Sequence, residues 1–229
     1  MQIVPAILTT DAEDFKSQIL SLLPYYSTFQ IDIQDGNYVP STTLAPLEIA
    51  DALGQIKRER NDAFANTKFD FHLMLSDYSE ALSVIESLSK EISARYIFVH
   101  RNFDSFAGEA AVCATLNPED SANQLEDDSL FRTLKPLSAP AIQIMTINPG
   151  PQGQQMDFTN LEKIKRLREL GYKGEILIDG SVNNVSLEKI IKMDEIYWPD
   201  TYCVGSYLSK ASGEDLQQRI VLLGKLIEK

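Results

Sequence analysis

Three residues of this 229-residue chain sit near the ends of short apolar runs and could act together on one small substrate: Asp32, His72 and Asp179. Asp32 lies in FQIDIQDG, His72 in FDFHLML, and Asp179 closes EILID. Taken singly, Asp32 and His72 read as satisfied polar residues of a core. Taken together at strand ends, two carboxylates and an imidazole suit one divalent metal. Nitrogen and oxygen donors fit Zn, Fe, Mn or Co, and no thiolate is needed. Gln30 precedes Asp32 by one strand repeat and so faces the same way. Its amide oxygen can serve as a fourth, weaker ligand; the plainer alternative is that it hydrogen-bonds its neighbours. Other strand ends add Gln34, Met74, His100, Asn117, Met145 and Gly205.

The elements that must position these residues alternate along the whole chain. Short apolar or period-two runs read as strands at 3–8, 29–33, 68–75, 95–100, 110–116, 141–147, 175–179 and 202–205. Helical spacing follows nearly all of them. Thr10 and Glu13 suggest a capping box ahead of Phe15, Ile19 and Leu22. Further helices are expected within 44–60, over 78–92, over 158–170 with Gly171 as its C-terminal cap, over 185–191 and over 213–228. Residues 119–135 are acidic and only weakly helical. Eight strands with intervening helices imply parallel pairing and right-handed crossovers. The length suits an α/β fold of the (β/α)8 TIM type, a single domain over 1–229. A doubly wound open sheet is the structural alternative, but no GxGxxG follows the first strand. Only Arg101 to Glu109 separate the fourth and fifth strands. A parallel crossover usually needs about a dozen residues, so the fourth helix should be shortened or absent, at 103–108.

Composition narrows the function classes. The formal net charge is −12, with 44% hydrophobic and 24% charged residues. Without a basic patch, nucleic-acid and anionic-membrane partners are disfavoured. An anionic substrate would have to be held by backbone amides rather than by a positive field. No apolar run is long enough to span a membrane, and MQIVPAILTT lacks the basic flank of a secretory signal. Cys113 and Cys203 sit in apolar runs and read as buried reduced thiols of a cytoplasmic protein. Trp198 suits a core or an interface equally. Three late loops, INPGPQGQ (147–154), DGSVNN (179–184) and VGSYLS (204–209), carry turn residues whose amides can face an anion. Loops after the seventh and eighth strands form the usual phosphate site of such barrels.

The motifs resemble the ribulose-phosphate 3-epimerase family, a ribulose-phosphate-binding barrel, from residue 3 to about 209. The chain has PAILT (5–9), QIDIQDG (30–36), DFHLM (70–74), MTINPGPQGQ (145–154), DGS (179–181) and GS (205–206), in the family's order and spacing. The resemblance implies a metal-dependent isomerase that inverts C3 of a ketose phosphate. Ribulose 5-phosphate and xylulose 5-phosphate are the default pair. Asp32 and Asp179 match its two acid/base residues. Asp32, His72 and Asp179 match three metal ligands, and Gln30 stands at the fourth, a histidine in the family. Met74 and Met145 match methionines of the substrate site, where Ala6 and Gln34 replace a serine and a third methionine. Gly150, Gly153, Gly180, Ser181, Gly205 and Ser206 belong to the phosphate loops. Thr9 also replaces a serine, and Gln152 and Ser181 each replace a glycine.

These departures cluster at the site and keep a second reading open: a catalytically impaired sugar-phosphate-binding barrel with a binding or regulatory role. Association of copies of the chain into a homo-oligomer is also left open. Related barrel decarboxylases place a lysine where Gln34 stands. A neutral amide cannot protonate a carbanion, so that reading has little support.

Overall fold

The computed structural model describes residues 1–103, 105–125, 130–131, 134–150 and 153–228. Eight strands pair in chain order and close on themselves. They are β1 (Gln2–Ile7), β2 (Thr28–Gln34), β3 (Lys68–Met74), β4 (Ser93–Val99), β5 (Ala111–Leu116), β6 (Ala141–Met145), β7 (Glu175–Asp179) and β8 (Thr201–Val204). Neighbours are parallel throughout, and β1 meets β8 with Gln2 opposite Thr201. The fold is therefore the expected (β/α)8 barrel. The outer helices are α1 (Ala12–Leu22), α2 (Pro46–Glu59), α3 (Asn61–Phe64), α4 (Ser79–Leu88), α5 (Glu162–Glu169), α6 (Asn184–Ile190), α7 (Ser206–Ser209) and α8 (Gly213–Ile227).

Period-two alternation divides the buried residues into two cores. Residues such as Phe29, Ile31, Phe71, Ile144 and Ile178 pack outward against the helices. Ala6, Phe98, Cys113, Leu177 and Cys203 form a small cluster of their own. The polar residues that alternate with the outward set share the barrel interior. Lower in the barrel, Arg95 binds Asp70 through two hydrogen bonds of 2.8 and 2.5 Å and reaches Glu175 at 3.2 Å. Thr201 Oγ1 donates to Glu175 at 2.6 Å. These groups satisfy one another at that end of the interior.

At the start of α1 the cap differs from the expected one. The N-cap of α1 is Asp11, whose side chain accepts from Asp14 N at 2.8 Å, rather than Thr10. A carboxylate meets the exposed amides of a helix start better than a hydroxyl does. Gly171, at φ +84°, ends α5 as expected, with Tyr172 N bonded back to Leu167 O at 3.0 Å. Between β4 and β5 the described residues form no helix, and β5 is followed by short 3₁₀ turns at Ala122–Leu125 and Pro136–Ser138. Asp104 of the expected 103–108 turn, and residues 126–129 and 132–133 of the acidic stretch, lie outside the described residues. Trp198 is half-buried against the core and donates its indole N–H to Ile190 O at 2.9 Å.

Candidate active site at the barrel mouth

Strand register brings distant residues to one level. Asp32 pairs across from His72 and Gln34 from Met74. Ala6 lies opposite Gln30, Met145 opposite Asp179, and Asp179 opposite Cys203. The ligand atoms of Asp32, His72 and Asp179 all fall within 4.8 Å of one another. His72 Nδ1 is 3.3 Å from Asp32 Oδ1 and 3.2 Å from Asp179 Oδ2. Two carboxylates and a ring nitrogen directed at one point have the donor chemistry of a divalent-cation site.

Gln30 joins them with its other end. Its Nε2 donates to Asp179 Oδ2 at 2.6 Å and to Asp32 Oδ1 at 2.9 Å. Its oxygen points away, accepting from Gln143 Nε2 at 2.8 Å and from the Cys203 thiol at 3.1 Å. The expectation that the Gln30 amide oxygen faces a cation therefore does not hold in this arrangement. The two carboxylates are best met by N–H groups, and an amide nitrogen has no lone pair to offer a metal. Gln143 reinforces the polarity: its Nε2 also donates to Asp179 at 3.1 Å, and its oxygen accepts from Thr115 Oγ1 at 3.1 Å. So Asp32, His72 and Asp179 fit a cation, and Gln30 acts as a bridge between the carboxylates.

The charges explain the proton positions. Burial raises the Asp32 carboxyl above its usual range and the charge of Asp179 adds to this, while His72 and Gln30 oppose it. For His72 burial alone would favour the neutral ring. Hydrogen bonds and charge from Asp179 and Asp32 outweigh it and raise the group to about 9. The imidazolium thus supplies positive charge between the two carboxylates. His100, also buried and facing His72, is held well below the usual histidine range. Burial pushes the Cys203 thiol far up, so it keeps the proton that it donates to Gln30.

A cavity opens above this cluster, lined by the ends of the strands and the loops that follow them. Ala6, Gln34, Met74 and Met145 line it near the carboxylates. Gln34 Nε2 touches Met74 Sδ at 3.4 Å, and its buried oxygen has no hydrogen-bond partner. Gly150, Gly153, Gly180, Ser181, Gly205 and Ser206 line the same cavity. A side chain at Gly180 would meet Ile147 Cγ1 at 2.6 Å, so the close packing of the loops after β6 and β7 requires glycine. Ser181 adopts φ +54°, a conformation that favours glycine, and its hydroxyl ties it to Gln154 O. Gln152 lies outside the described residues.

Three members of the cluster, Gln143, Thr115 and Cys203, were not singled out from the sequence as site residues. The signal was there in part: Gln143 precedes Met145 by one strand repeat and so shares its face.

Comparison with known proteins gives the family. A profile of the Ribulose-phosphate 3 epimerase family matches residues 2–197. Ribulose-phosphate 3-epimerase of Rhodobacter capsulatus is 26% identical over 196 residues, covering 81% of this chain and 78% of that protein. The chloroplastic ribulose-5-phosphate-3-epimerase of Arabidopsis thaliana is 26% identical over 201 residues, covering 82% and 66%. Among solved structures, a tryptophan synthase α-subunit variant from Pyrococcus furiosus superposes with a TM-score of 0.65 at 12% identity, covering 100% of this chain and 98% of that one. A 3-hexulose-6-phosphate synthase superposes with a TM-score of 0.61 at 14% identity, covering 99% of each chain. The structural likenesses carry the fold alone, whereas the profile spans most of the chain: it belongs to the ribulose-phosphate 3-epimerase family, an isomerase family.

Proposed function

We propose that the protein is a metal-dependent epimerase that inverts C3 of a ketose phosphate, with ribulose 5-phosphate and xylulose 5-phosphate as its default pair. The observation that carries this reading is the convergence of Asp32, from β2, and Asp179, from β7, on one point with His72, beside a cavity that the late loops line. Asp32, His72 and Asp179 would hold the divalent cation, Zn, Fe, Mn or Co. Such a cation, when bound, polarises the substrate carbonyl and offsets the charge that develops on its oxygens. One carboxylate removes the C3 proton, and the other returns a proton to the opposite face of the planar enediolate. Gln30 keeps the two carboxylates at a fixed separation. Met74 and Met145 exclude water from the reacting carbons. The phosphate is held by the glycine- and serine-rich loops after β6, β7 and β8, through backbone amides and the Ser206 hydroxyl. This agrees with the net charge of −12, which offers an anion no general attraction.

One observation favours a second reading, a sugar-phosphate-binding barrel that turns over poorly or not at all. The Gln30 amide already bridges Asp32 and Asp179, at the side where the family presents a histidine. Exchange in D₂O separates the two. The enzyme reading expects deuterium to enter C3 of ribulose 5-phosphate in the presence of Zn, Mn, Co or Fe(II). Binding of the sugar phosphate without exchange under any of these metals would overturn it.

A further inference from the structure

His72 has a second ring nitrogen, and it heads a buried chain of polar groups. His72 Nε2 lies 2.8 Å from His100 Nε2. His100 Nδ1 lies 2.7 Å from Asn117 Oδ1, and Asn117 Nδ2 donates to the Tyr38 hydroxyl at 3.1 Å. Both imidazoles are fully buried, and Asn117 is 1% exposed. The main chain of Asn117 is fixed from both sides. Its N–H donates to Asp120 Oδ2 at 2.8 Å, and its carbonyl accepts from Lys163 Nζ at 2.5 Å.

An amide oxygen only accepts, so His100 Nδ1 must carry a hydrogen. A buried imidazole with only neutral and cationic neighbours stays neutral, so His100 Nε2 bears a lone pair. The single hydrogen between the two Nε2 atoms then belongs to His72. His72 must surrender its other hydrogen, on Nδ1, to present a lone pair to anything held by Asp32 and Asp179. From this geometry we infer that Asn117 and His100 are positioning residues that fix the tautomer of His72 so that Nδ1 is its metal-facing atom.

The reverse polarity has a definite consequence. With Asn117 Nδ2 toward the ring, His100 would carry its hydrogen on Nε2 and His72 would keep one on Nδ1. No lone pair would then face the carboxylates. The inference rests on the cation reading above, and outer groups of this kind typically alter metal affinity about 10–100-fold.

The chain contains two histidines, so protein labelled with ¹⁵N-histidine shows four ring nitrogens. Spectra of the metal-free protein and of protein titrated with zinc test the relay. The expected result is a protonated Nδ1 and bare Nε2 on His100 in both states, with zinc shifting His72 Nδ1 and leaving His72 Nε2 protonated. If zinc perturbs neither ring, the cation reading falls and takes the relay with it. If zinc perturbs His72 while His100 is protonated on Nε2, the relay alone is overturned. Asn117→Leu keeps the shape and removes the acceptor. It should scramble the His100 tautomer and weaken zinc binding about 10–100-fold. A folded variant with the wild-type ring pattern and zinc affinity would refute the role of Asn117, and the wild-type spectra decide the matter even if the variant does not fold.

Discussion

Replacing Gln30 by histidine tests the reading of the cluster most directly. In the present chain the Gln30 amide gives two hydrogen bonds to ionised oxygens, at 2.6 Å to Asp179 and 2.9 Å to Asp32. Each such bond is worth about 1.5–3 kcal/mol. A cation approaching the carboxylates must break or displace both. The amide could instead turn its oxygen inward, but that loses the bonds from Gln143 at 2.8 Å and the Cys203 thiol at 3.1 Å. Either route carries a gross cost of about 3–6 kcal/mol, of which the cation's own attraction to the carboxylates returns a part. A net penalty of about 3 kcal/mol is about a hundredfold in affinity.

An imidazole at position 30 removes this penalty and adds a nitrogen donor. Gln30→His should therefore bind zinc about a hundredfold more tightly. The gain for manganese should be smaller, because zinc ranks above manganese in its preference for nitrogen donors. Competitive titration of metal-stripped protein against a chromophoric chelator reads both constants. Equal or weaker zinc binding by the histidine variant would show that the Gln30 amide does not oppose the cation, and would refute the bridge.

Asp32→Asn and Asp179→Asn should each lower C3 proton exchange by about 10²–10⁴-fold with an unchanged circular dichroism spectrum, since an amide oxygen is not a base; near-full exchange in either would remove that residue from the acid/base pair. Zinc and a proton compete for His72, whose group is raised to about 9. Zinc affinity should therefore rise about tenfold per pH unit up to that value and then level off, whereas a flat profile between pH 6 and 9 would refute the competition. Because His72 is raised above its unfolded value, its contribution to the metal-free protein is fully present below about pH 6.5. It is lost as pH rises through about 9, a change of about 3 kcal/mol that denaturant titrations at several pH values would detect. Gln34→Met removes a buried amide oxygen that has no partner, and should raise metal-free stability by about 1 kcal/mol while lowering kcat/KM. Unchanged turnover would mean that this oxygen does not meet substrate.

The barrel was legible because its signals are local. Period-two runs such as FQIDI and KFDFHLM and helical spacing such as Leu82, Ile85 and Leu88 name their elements without reference to the rest of the chain. Asp32, His72 and Asp179 were legible as candidates because they stand at strand ends, where this fold does its chemistry. The orientation of Gln30 was not. It is decided by Gln143 and Cys203, which lie 113 and 173 positions away and meet it only after the barrel closes. In sequence these two residues sit in AIQIM and TYCV, where a single polar or sulfur-bearing residue in a short strand looks like incidental interior filling. The N-cap of α1 shows the same limit at short range, since Thr10 and Asp11 both offer an oxygen and only the chain's path selects one.

A barrel interior that holds so many polar groups needs a reason for each. Unpaired, a buried polar group costs about 1–3 kcal/mol, and a buried charge costs more. Lower in the barrel the cost is met within the fold: Asp70 takes two bonds from Arg95, and Glu175 takes one from Arg95 and one from Thr201. At the mouth the bonding is of another kind. Asp32 and Asp179 share one imidazole and the Gln30 amide, Asp179 takes a further bond from Gln143, and Gln34 has an oxygen with no partner. An apolar residue at position 34 would fold more easily, and a second cation near the carboxylates would hold them more easily. Gln34 lines the cavity beside the carboxylates, so a ligand that brings a cation and a hydroxyl donor would complete what these residues leave short.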